Sequence, residues 1–145
     1  MRAFAELSRT EKSIEVVRWL CVVPAAWVAG MAPRFIEALV RPPALAQLPG
    51  TPRPPVSDFQ RIYLPHLLGI VMAAAFVFVG AKVAPRRRVL VAVVLAAFWT
   101  AYAFMIHVLP HASFELRYLA RHLTATAAAV AATAYIWYSE TQKPI

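Results

Sequence analysis

Residues 89–109 read VLVAVVLAAFWTAYAFMIHVL, 21 positions without Asp, Glu, Lys or Arg and with one histidine, His107, two positions from the end. A helix rises about 1.5 Å per residue, so roughly 20 apolar residues cover the hydrocarbon core of a bilayer. The stretch therefore reads as a transmembrane helix. Working backwards, the residues just before it, Lys82 to Arg88, hold four basic side chains and Pro85, a basic turn of the kind that stays on the cytoplasmic side.

Beyond that turn lies Ile62 to Ala81, equally apolar apart from His66, with Pro65 placed where a first helical turn tolerates it. Working forwards, Tyr118 to Tyr138 is a further span, rich in Ala and Thr, with Arg121 and His122 in its first turns. The N-terminal segment is the hardest to read. Uninterrupted apolar sequence there covers only Trp19 to Ala32, 14 residues, and contains Pro24. Borrowing Ile14 to Arg18 supplies the missing length, with Glu15 and Arg18 on one helical face and Arg18 snorkelling to the headgroups. A kink is expected at Pro24. A cleaved signal peptide is the competing reading, and Glu6 and Glu11 in its would-be basic region speak against it.

The sequence thus predicts an all-α, integral membrane four-helix bundle forming a single membrane domain over 1–145, with helices at about 14–32, 62–82, 88–109 and 116–138. Composition agrees. Of the 145 residues 61% are hydrophobic and 15% charged, and mean hydropathy is +0.59. Four spans use about 80 residues, which leaves no room for a soluble catalytic domain. Nine Lys and Arg fall on the side of the termini and the 82–88 turn, and six on the other. Both termini are therefore expected in the cytoplasm, with a bacterial inner membrane as the default for a helical bundle. The net charge of +8 suggests nucleic acid only until its distribution is considered, because the basic residues cap apolar runs and form no stripe. The lone Cys21, inside an apolar segment, excludes an internal disulfide and is expected to be a buried, inert thiol.

The connection 33–61 is the long one and carries seven of the twelve prolines. A short amphipathic piece at 34–40 is expected to lie in the interface before an extended proline-rich stretch, as a partner contact or a strap over the bundle. In the last span Ala125 with Ala129, Ala127 with Ala131, and Ala128 with Ala132 are small-xxx-small pairs spread around the helix. They suit close helix packing, within the bundle or against another chain. Trp99 departs from the aromatic belts: it lies mid-span, where its indole N–H needs an acceptor, and reads as a packing feature before a ligand contact.

All four histidines, His66, His107, His111 and His122, map to the outer side. Imidazoles at membrane depth can ligate haem b or a metal, or bond a quinone carbonyl; hydrated at headgroup depth they only anchor helices. His66 and His122, matched in depth, are the best haem pair, with His107 nearby and Met72 or Met105 as soft ligands for copper. Arg117 and Arg121, one turn apart, complete a polar outer site with Glu115 and Asp58. No HxH, HExxH or CxxCH spacing occurs. The reading that results is a small non-catalytic membrane protein, an accessory or scaffolding subunit that associates with other membrane subunits or with itself. The alternatives are a redox cofactor site at the histidines and a subunit of an oligomeric transporter. The last suits the residues least, since no acidic side chain lies mid-span.

Overall fold

The computed structural model describes residues 8–40, 59, 63–107 and 116–142. The described residues form four helices, α1 Arg9–Val40, α2 Leu64–Val83, α3 Arg88–His107 and α4 Leu116–Thr141, and no strand. Of these, α1, α2 and α3 are long and apolar enough to cross a membrane. α4 is long enough but diluted by threonines, Arg117, Arg121 and His122.

α1 differs most from expectation. It is one helix from Arg9 to Val40, running through Pro24 and Pro33, and the residues expected as a separate interfacial piece are its last turns. Its start is fixed by a capping box. The Glu11 backbone N–H donates to Ser8 Oγ at 3.3 Å, and Glu11 Oε2 accepts from the Ser8 backbone N–H at 2.8 Å. Those bonds hold the Glu11 carboxyl below its usual range, the backbone N–H of Ser8 most of all and its hydroxyl next. Further on, Pro33 is buried, and Arg34 reaches Glu37 one turn away, at 3.3 Å. The proline-rich stretch from 41 to 58 lies outside the described residues.

Pro65 takes the first turn of α2, as expected. The helix ends where Pro85 forces its predecessor out of helical geometry: Ala84 has φ −57° and ψ 128°, while its N–H still bonds the Gly80 carbonyl. Arg87, at φ 51°, then turns the chain through the left-handed region, and α3 begins.

Contacts between helices fix their directions. Gly80 of α2 lies against Ala26 of α1 and Leu95 of α3, and Phe76 against Gly30 and Trp99, so α2 runs antiparallel to both. α4 meets α3 at Arg88 with Glu140, Ala92 with Thr133, and Phe104 with His122, an antiparallel pair along its full length. α2 and α4 run parallel, Gly69 near Ala125 and Phe78 near Tyr135. α2 touches all three neighbours and buries the widest stripe, Gly69, Met72, Ala73, Phe76, Val77, Gly80 and Ala81.

The interior is small-grained. Apart from Phe76, Ile136 and Val77 it is mostly alanine, with Ala26, Ala73, Ala81, Ala92 and Ala129 at zero exposure. Small side chains bring backbones close, so dispersion and tight fit hold the helices together. The outside is the bulky face, with Leu20, Val28, Phe35, Val94, Phe98 and Val130 all exposed. Cys21 is exposed as well, which corrects the expected buried thiol: it stands one residue off the α1 stripe of Val22, Ala26 and Gly30.

The 84–88 segment is clasped from both sides. Arg86 Nε pairs with Glu15 of α1 at 3.0 Å, and Arg88 Nη1 with Glu140 of α4 at 3.2 Å. Arg18 Nε also donates to the Val83 carbonyl at 3.3 Å.

Candidate functional site

At the end opposite that turn, all four helices border a cavity of about 120 Å³. The cause is a layer with too little side-chain volume: Gly69 of α2, Ala103 of α3 and Ala125 of α4 line it together. A Cβ built on Gly69 would meet nothing nearer than Ala125 Cβ, at 3.9 Å.

Around this void stand polar groups. Arg34 enters from α1 and Arg121 from α4, with Trp99 and Tyr102 from α3 and the soft surfaces of Met31 and Met72 completing the wall. Trp99 is 4% exposed and packs against Phe76 and Tyr102, ring centroids at 5.2 and 6.0 Å. Its Nε1 is buried without a hydrogen-bond partner, and so is Nε of Arg121. Each unmet buried donor costs about 1–3 kcal/mol. Two such donors beside one cavity mark a place built to receive acceptor atoms. Among the described residues the two guanidinium groups face one carboxylate, Glu37, whose side chain is 9% exposed and paired with the 44% exposed Arg34.

A second polar group lies between α3 and α4. His122 is buried, edge-on to Phe104 at 5.6 Å, and its Nδ1 lacks a partner. Thr126 Oγ1, one turn on, also lacks one. His122 borders an open groove of about 960 Å³, otherwise almost wholly apolar, running past Thr100 and Ala97 to Trp137.

His66 is half-buried in the first turn of α2. The α2–α4 register, 69 with 125 and 78 with 135, sets it level with His122. His107 is the last residue of α3 and Arg117 the second of α4, both at the cavity end, whereas His111, Glu115 and Asp58 lie outside the described residues. Met72 turns inward to the cavity and Met105 outward. Among the described residues no three of His, Cys, Asp and Glu gather as a metal site.

No family model, curated protein or solved structure matches the chain.

The six alanines of α4 separate by face. Ala125 and Ala129 are buried, Ala128 and Ala132 pack partly against the core, and Ala127 and Ala131 are exposed. Ala128, Ala131 and Ala132 border a groove of about 560 Å³ with Ala74 and Ala75 of α2. Of the cavity residues, Arg34 reads from sequence as an outer-side charge within the amphipathic piece 34–40, with nothing to point it at a cavity. The clue was Trp99, whose mid-span indole already demanded an acceptor.

Proposed function

We propose that the chain is a four-pass integral membrane protein of a bacterial inner membrane, with both termini cytoplasmic, that serves as an accessory or scaffolding subunit docking onto other membrane subunits or a second copy of itself. The fourth crossing is supported by pairing: α4 accompanies α3 from Arg88 to Phe104, so a bilayer that contains α3 contains α4. The orientation is supported by the three arginines of the 86–88 turn.

The observation that carries the docking role is the α2–α4 groove. Its floor of five alanines leaves both backbones open to close approach by another helix, the contact that drives association where lipid removes the hydrophobic advantage. Purification in mild detergent should yield a stoichiometric complex, and Ala131→Leu, which fills the groove, should release the partner or the second copy. A lone monomer with either sequence refutes the docking role.

A second reading has its own observation, the unpartnered Nδ1 of buried His122. A haem b held with His66, a metal, or a quinone carbonyl would satisfy that nitrogen. For haem, the purified protein would carry a Soret band lost in His122→Ala and His66→Ala; a metal would appear in elemental analysis.

A further inference from the structure

We infer that the cavity among the four helices binds a singly charged oxyanion, a phosphodiester or carboxylate group, held by Arg34 and Arg121 with the indole N–H of Trp99 as a third donor. The argument starts from what is unmet. Trp99 is 4% exposed with its Nε1 closed to solvent, Arg121 Nε is closed as well within a half-buried side chain, and both residues line the cavity. Both groups donate and neither accepts, so the complement is a group rich in acceptors and free of donors. Charge narrows the choice. Glu37 pairs with Arg34 and acts on Arg121 as well, so among the described residues the wall carries two positive groups and one negative, a balance that a monoanion completes. Guanidinium groups suit such oxyanions through paired, charge-assisted hydrogen bonds.

Size and setting agree. About 120 Å³ takes a headgroup-sized anion and not a whole organic cofactor. Arg121 stands five residues past the start of α4, about 7.5 Å along it at roughly 1.5 Å per residue, within reach of a lipid phosphate when that helix end meets the bilayer surface. Met31, Met72 and Ile106 offer apolar walls for a first stretch of acyl or glycerol carbon.

The oxyanion has two sources, a phospholipid headgroup or a small soluble anion. The lipid source rests on the membrane reading; the site itself does not. The test is native mass spectrometry of the full chain released from nanodiscs of phosphatidylcholine containing phosphatidylglycerol, with a parallel arm in pure phosphatidylcholine titrated with inorganic phosphate. Retained phosphatidylglycerol identifies the lipid source, and a retained phosphate adduct the soluble one. In either case Arg121→Gln should weaken retention roughly tenfold, the scale of one lost charge-assisted bond, and Trp99→Phe, which keeps an aromatic ring and removes the donor, severalfold. Helical content by circular dichroism verifies that each variant is folded. Retention equal in wild type and both folded variants, or no adduct of either probe, overturns the site. A chain that enters nanodiscs yet holds no adduct overturns the site and leaves the membrane reading standing.

Discussion

A methyl group decides whether α2 can sit where it does. A Cβ on Gly80 would run into Leu95 Cδ1 and come within 2.9 Å of Ala26 Cβ, which has no rotamer by which to yield. Gly80→Ala should therefore cost about 1–3 kcal/mol, the range for overpacking, and lower the midpoint of thermal unfolding in micelles. Gly69→Ala is the contrast. With only Ala125 Cβ nearby, at 3.9 Å, the added methyl enters open space and improves helix propensity by about 0.5–1 kcal/mol. Trp99 allows a similar forecast: Trp99→Phe relieves an unmet donor worth about 1–3 kcal/mol and loses the contacts of the larger ring, so in lipid-free micelles the variant should unfold near the parent's midpoint. A fall well beyond that of lost ring volume would mean that the indole N–H already has an acceptor.

Among the helices, α2 and α3 were the legible ones. Their cores are continuous apolar runs bounded by Pro65, Pro85 and the arginines, and the observed limits Leu64–Val83 and Arg88–His107 fall close to the expected ones. α1 was misread at both ends for physical reasons. Its start is set by polar bonds, Ser8 with Glu11, whose S-x-x-E spacing was present but went unused. Its end continues because a buried proline can ride inside a packed helix that weighting by propensity alone would stop. The cap makes the start of α1 pH-dependent. The Glu11 carboxyl is held below its ordinary range in the folded chain, so its contribution is complete above the unfolded value and fades as pH falls through the folded one. Amide exchange at residues 9–12 should accelerate across that acidic window in the wild type, and Ser8→Ala should show the faster exchange already at neutral pH.

For the molecule as a whole, the histidine alignment was legible because helix lengths and directions follow from hydropathy, and His66 and His122 do fall level. The cavity was not, because it depends on which faces of four helices meet, a fact of rotation that apolar runs do not encode. Arg34 and Arg121, 87 positions apart in the chain, share a wall only through that rotation. The clasp at the opposite end is also a property of the whole. Glu15→Gln should cost about 1–3 kcal/mol, since Arg86 is only partly hydrated and loses its counter-charge, and exchanging the charges with Glu15→Arg and Arg86→Glu should restore part of it. Chemical unfolding of the single and double variants measures both.

The same clasp has a bearing on biogenesis. One short turn holds α1 through Arg86 and α4 through Arg88, yet Glu140 is synthesised only after α1, α2 and α3. Arg88 must wait without its carboxylate while the first three helices are already in place, and a nascent chain stalled before α4 would present that unmatched cation to whatever quality-control protease patrols the membrane surface.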